Sequence, residues 1–361
     1  MGPQTLVLGA RYQSGWFETV NRIPSISGGG AAFVAPPSGE QDSDMERISA
    51  YLYDTVEVLP RFYLTAGVAY DRLVFPEDVR NTPVSVKETE RDQVSPKAAL
   101  QWTPASGLTL RGIYARSLNG VSFEDSVRLE PAQLGGFVQS FRNLIPESLV
   151  GSLSGARHDT AGAALDWSFL PGSYLGVQGE WLEADITRRI GVFDFTITPE
   201  RIAAATTPER LDYRERSIAT VLIHHLSTEW SFGTRHKFTY SELDRKLKAI
   251  PVAVYSGAHS SEEAALHQVD LFLQYEHPSG FYGQCKSRWY FQRNIGYAPS
   301  RPEENFWQVD LFAGCRFWRQ RMDATVGVLN VAGQDYRLNP LTPYVDLPRE
   351  REFVARLRIN F

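Results

Sequence analysis

The residues best suited to chemistry are poorly spaced for it. His224 and His225 are adjacent in "VLIHHLS". On an extended segment neighbouring side chains point to opposite faces, so the pair makes a poor chelate. Segment 27–33, "SGGGAAF", is glycine-rich. It is neither a phosphate-cradling loop nor a dinucleotide fingerprint, and it reads as a mobile loop. Cys285 and Cys315 are the only cysteines and allow at most one bridge. Aspartate and glutamate total 42, yet none shows catalytic spacing and no nucleophile motif appears. The expectation is no catalytic residue, no metal site and no cofactor, so the chain is not an enzyme.

The charged residues do show a pattern. Lys97, Arg111, Asp166, Glu180, Arg235, Lys237, Asp270, Glu276, Lys286, Arg288, Asp310, Arg316, Arg356 and Arg358 fall on one side of runs with a period of two. In 158–169, Ala161, Ala163, Leu165, Trp167 and Phe169 oppose Thr160, Gly162, Ala164, Asp166 and Ser168. In 265–276, Val269, Leu271, Leu273 and Tyr275 oppose Gln268, Asp270, Phe272, Gln274 and Glu276. The last residues, "FVARLRINF", alternate in the same way. The charged set is expected to form a solvated wall with cross-strand salt bridges. The same wall would meet a plug or a polar solute.

Such runs recur at 4–12, 46–57, 61–72, 94–103, 108–117, 158–169, 174–186, 211–226, 230–244, 265–276, 281–294, 305–317, 321–331 and 352–361. That is an even number of strands. Alternate gaps are tight turns such as "LPR" at 59–61, "TPASG" at 103–107, "PGS" at 171–173 and "HPSG" at 277–280. The others are long: 13–45, 73–93, 118–157, 187–210, 245–264, 295–304 and 332–351. Strict alternation of short and long gaps fits a barrel with one periplasmic and one outer rim. A soluble sandwich has no reason to keep it.

Aromatic residues gather near the tight turns: Trp102, Trp167, Phe169, Tyr174, Trp230, Phe281, Phe317, Trp318 and Phe361. An interfacial girdle puts rings at that height. No run approaches the length of a transmembrane helix, and only helices and closed barrels satisfy their backbone in lipid. A formal net charge of -5 gives no reason to expect nucleic-acid binding. The fold class is therefore all-β. It is a transmembrane antiparallel up-and-down β-barrel of about fourteen strands, with residues 1–361 as one domain.

Several stretches resemble the barrel of TonB-dependent receptors, in the order of that family: "ERISAYLYDTVEVLPRFYLTAGVAYDRL" (46–73), "QVSPKAALQWTPASGLTLRGIYARS" (93–117), "VGVLNVAGQDYRLNP" (326–340) and the terminal "FVARLRINF". Residues 121–160 resemble the version found behind tetratricopeptide repeats. The resemblance implies an outer-membrane location and uptake of a small ligand such as an iron chelate, corrinoid or oligosaccharide. It implies lipid and the barrel-assembly machinery as partners, the latter through the C-terminal strand. TonB is a partner only where a plug and TonB box stand upstream, and neither is visible, nor is a signal peptide. The expectation is thus the C-terminal part of a receptor barrel. A self-contained passive pore and a structural or adhesive barrel are the alternatives.

Three geometric expectations follow. Both chain ends lie on the tight-turn rim. Cys285 and Cys315 face lipid at similar height on adjacent strands. Residues 4–12 pair with 353–361 to close the ring.

Overall fold

The computed structural model describes residues 4–20, 32–33, 40–79, 81, 83–120, 130–139, 154–198, 201–298, 300–319, 321–335 and 350–359. Fourteen long strands form one antiparallel meander. They are β1 (Gln4–Val20), β3 (Glu40–Leu59), β4 (Phe62–Asp78), β5 (Ser85–Ala105), β6 (Leu108–Leu118), β9 (Arg157–Leu170) and β10 (Ser173–Thr198), then β11 (Arg201–His225), β12 (Trp230–Leu247), β13 (His259–Glu276), β14 (Phe281–Ile295), β15 (Glu304–Phe317), β16 (Met322–Leu329) and β17 (Glu352–Ile359). Two-residue strands complete the set. β2 (Ala32–Phe33) pairs in parallel with Arg201–Ile202, and β7 (Gln133–Leu134) pairs with β8 (Phe137–Val138). No helix among the described residues is long and apolar enough to cross a membrane, which says nothing of a β-barrel.

Tight turns close the hairpins β3–β4, β5–β6, β9–β10, β11–β12, β13–β14 and β15–β16. Gly107, Gly172 and Gly280 sit in these turns at φ 79, 74 and 96, where a side chain would be strained. Each of the first five turns is stitched to the next hairpin by backbone bonds. The N–H groups of Thr103, Ser168, His225, Glu276 and Arg316 donate to the carbonyls of Arg61, Gly107, Gly172, Glu229 and Gly280. Gln4 lies opposite Val56, and Ile359 lies opposite Met322. Both ends of the described chain are therefore on this rim, as expected.

The other rim differs from the expectation. Two long gaps are mostly strand. The hairpin β10–β11 keeps its ladder from Thr187↔Arg210 to Asp194↔Ala203, and β4–β5 continues from Leu73↔Arg91 to Asp78↔Ser85. The apolar alternation stops there, but backbone pairing needs no apolar face once water surrounds the strand. The glycines of "SGGGAAF" lie outside the described residues, and its end forms β2.

The cysteine register also needs correction. Cys285 pairs with Leu311, and Cys315 with Phe281. The thiols share a face but stand four strand positions apart, about 13 Å at ~3.3 Å per residue. Both are free. Gly296 (φ 80) turns the chain early, and Arg293 meets Glu303 at 3.1 Å. This centres the hairpin nearer 298 than 300. A ladder between 4–12 and 353–361 is not among the described pairings, in which β1 pairs with β3 and β17 with β16.

Candidate functional site

The register sorts every long strand into two faces. On one, Leu64, Val68, Leu100, Leu273, Leu311 and Val326 are exposed. On the other, Lys97, Thr239, Ser241, Gln268, Gln308 and Asp310 are buried. This is the reverse of a water-soluble sheet. Contacts that skip neighbours lie on the polar side: Arg47 of β3 reaches the Leu118 carbonyl of β6, and β10 touches β4. The sheet therefore curls toward its polar face.

All fourteen charged residues singled out above fall on that concave face by register. Many are paired across strands. Arg111 donates to Asp166 at 2.6 Å, Arg316 to Glu276 at 3.1 Å, and Arg288 reaches Asp310. Lys286 lies 5.5 Å from the Phe312 ring centre. Asp310 also accepts the Asn330 N–H at 2.9 Å. Asn330, in the segment "VGVLNVAGQDY", is buried at φ 49, and its side-chain oxygen accepts from Gln334 N–H at 2.9 Å. That stretch is thus a capped strand end. His224 is held by Ser173 at 2.7 Å. Among the described residues, no cluster of three or more His, Cys, Asp or Glu could hold a metal ion.

Of the aromatic set, Trp102, Trp167, Phe169, Trp230, Phe281, Phe317 and Trp318 are exposed at the tight-turn rim. Tyr174 is a correction. It lies an even number of positions from Glu180 on β10, so it shares the concave face, where its hydroxyl donates to Asp166. Phe361 lies outside the described residues. A second ring of aromatics on the outward face was not anticipated. The hydroxyls of Tyr70, Tyr114 and Tyr240 donate to Asp92 (2.7 Å), Asp159 (3.0 Å) and Glu263 (2.6 Å). Arg216 lies 5.8 Å from the Trp181 ring centre. Beyond this ring the outward face is charged: Arg72 pairs with Glu90, and Arg157 with Asp185. From Trp230 to Tyr240 is about ten residues. At ~3.3 Å each and a tilt of roughly 35–45° they span about 25 Å, the height of an outer-membrane apolar band. An outward tyrosine followed two positions on by a charged residue (Arg72, Arg116 and Glu242) was the signal for it.

Above the band two hairpin tips meet. The Gly191 N–H donates to Asp78 at 3.1 Å, Arg189 pairs with Glu77 at 3.5 Å, and Arg91 donates to the Thr187 carbonyl at 2.6 Å. Between them lies a cavity of about 370 Å³, lined by Arg91, Arg188, Arg189, Phe75, Thr89 and Ser154 among others. Buried Glu209 accepts from Arg188 and Arg245 at 2.6 Å each, fixing one wall. The Nε of Arg91 is buried without an acceptor among the described residues. These arginines lie in stretches read from sequence as loops. The alternation in "KETERDQ" was the available signal.

A strand meander that is apolar outside and polar inside, banded by aromatic rings, is the wall of a membrane β-barrel. Residues 2–149 match the family model described as TonB dependent receptor-like, beta-barrel. Solved structures share the fold across nearly the whole chain. The FrpB iron transporter from Neisseria meningitidis (F5-1 variant) superposes with a TM-score of 0.63 at 12% identity, over 99% of this chain and 53% of its own. The siderophore receptor PirA from Acinetobacter baumannii gives 0.57 at 13%, over 99% and 52%. The copper transporter OprC gives 0.54 at 13%, over 90% and 49%. The chain spans about half the length of these structures. No curated protein matches the sequence. The resemblance to the barrel of TonB-dependent receptors thus stands over residues 2–149, and the fold of the solved barrels extends over nearly the whole chain.

Proposed function

We propose that the protein is the barrel wall of an outer-membrane uptake receptor and that its outer mouth binds an anionic chelate. The carrying observation is the cavity between β4–β5 and β10–β11, with Arg91, Arg188 and Arg189 on its walls. Planar, charged guanidinium groups suit carboxylate or other anionic oxygens. The unpartnered Nε of Arg91 supports a ligand that brings an acceptor. Solved neighbours named for iron, a siderophore and copper support a metal-bearing cargo. The arginines favour its anionic complex over a bare cation or a neutral oligosaccharide. The charged concave face is the route the cargo follows inward. In this reading the energised step belongs to TonB acting on a plug.

The test uses the full chain in detergent micelles. Binding of ferric citrate, cyanocobalamin and maltoheptaose is followed by calorimetry, with wild type and the Arg91→Glu/Arg189→Glu double variant. The reading expects ferric citrate to bind, and at least tenfold weaker binding by the variant. Preferential binding of a neutral probe, unchanged by charge reversal, overturns it.

A further inference from the structure

The connection between β6 and β9 does not simply project outward. Residues 130–139 lie against the concave face, on β3, β5, β6 and β9. Their centre is the tight hairpin Gln133-Leu-Gly-Gly-Phe-Val138, turning at Gly135 and Gly136 with φ 56 and 83. Two glycines at positive φ are what the twist of a two-residue hairpin requires. Leu134 and Phe137 are buried in one cluster with Tyr53, Ala99, Ile113, Ala115 and Ala164.

The wall beneath is shaped to receive this hairpin. A Cβ on Gly162 would stand 2.7 Å from the Phe137 ring, and one on Gly135 would meet Ala99 at 3.0 Å. Small residues thus form a notch that Phe137 fills. Polar contacts lock the fit. Glu130 accepts from both Lys97 and Tyr53. Arg111 donates to the Gly135 carbonyl at 3.3 Å and lies 5.4 Å from the Phe137 ring centre. Gln139 is fully buried. It accepts from Tyr53 at 3.0 Å and donates to the Pro131 carbonyl at 2.8 Å. A surface loop has no need of such a bed. The polar residues Lys97, Tyr53 and Arg111, which would otherwise face the interior water, are spent on holding it.

We propose that residues 130–139 form a built-in strap that narrows the interior, latched by the Lys97–Glu130 pair, and that small polar solutes pass when the latch opens. The strap rests on the barrel reading above. Its role is separable from ligand binding at the mouth.

The experiment reconstitutes the full chain in liposomes and measures efflux of a small sugar and of a large dextran. Lys97→Glu and Glu130→Lys are compared singly and together. Gly162→Val tests the notch without changing charge. The strap expects each single change to raise sugar efflux several-fold while dextran is retained, and the charge swap to return efflux toward wild type. Gly162→Val should raise sugar efflux as well. Sugar efflux equal to wild type in all four variants, in vesicles where protease protection shows normal insertion, overturns the strap. Rapid dextran efflux from wild type and variants alike also overturns it, because the wall is then open whatever the strap does. That result counts against a closed barrel, whereas failure of the wild type to bind ferric citrate counts against the mouth site.

Discussion

The hydroxyl of Tyr240 on β12 donates to the carboxylate of Glu263 on β13 at 2.6 Å, where the outward face changes from apolar to charged. Tyr70–Asp92 and Tyr114–Asp159 repeat the arrangement. The upper membrane boundary therefore runs through these pairs. Leu271→Arg, within the band, should destabilise the inserted barrel by about 2–4 kcal/mol, whereas Glu263→Arg should cost about 0–1 kcal/mol. Urea unfolding in lipid vesicles measures the difference. Equal costs would place the boundary elsewhere.

Cys285 and Cys315 lie on the same face but four positions apart, beyond the Cβ separation a disulfide tolerates. Oxidation of the folded protein should leave both thiols free. Mass spectrometry after alkylation should count two labels once the protein is unfolded. A bridged species formed from the folded state would show that the β14–β15 register is different.

Glu209 is buried between Arg188 and Arg245. Glu209→Gln keeps the shape and removes the charge. Two charge-assisted bonds weaken, and a loss of about 1–3 kcal/mol is expected. Because Arg188 lines the mouth cavity, hydrogen exchange over 186–210 should accelerate while that of β14–β16 stays unchanged.

Asn330 combines a left-handed backbone with bonds to Asp310 and Gln334. Asn330→Ala should destabilise by about 1–3 kcal/mol, since a buried side-chain bond is lost. Asn330→Gly should cost less, because glycine accepts φ 49 freely and keeps the N–H to Asp310. Thermal unfolding of the two variants tests the order.

Much of the fold was legible in the chain itself. Period-two alternation places residues such as Arg111, Asp166 and Arg316 on one face, because in a strand the pleat alone decides the side. Pro60, Gly107, Gly172 and Gly280 marked the tight turns, so strand ends on that rim came within a residue or two. Local conformational preference is a property of a few neighbouring residues, and the sequence displays it directly.

Other features needed the folded chain. The upper halves of β4, β5, β10 and β11 have no apolar alternation, and only pairing with a partner strand reveals them. An early turn at Gly296 moved the cysteines apart. One added residue shifts every side chain beyond it, so register depends on how two distant segments meet. The strap is the extreme case. "EPAQLGGFVQ" reads as loop, and the notch built from Ala99, Ala115, Gly162 and Ala164 reads as ordinary small strand residues. What joins them is curvature of the sheet, which brings β3, β5, β6 and β9 around one point. The same curvature sets the mouth arginines side by side.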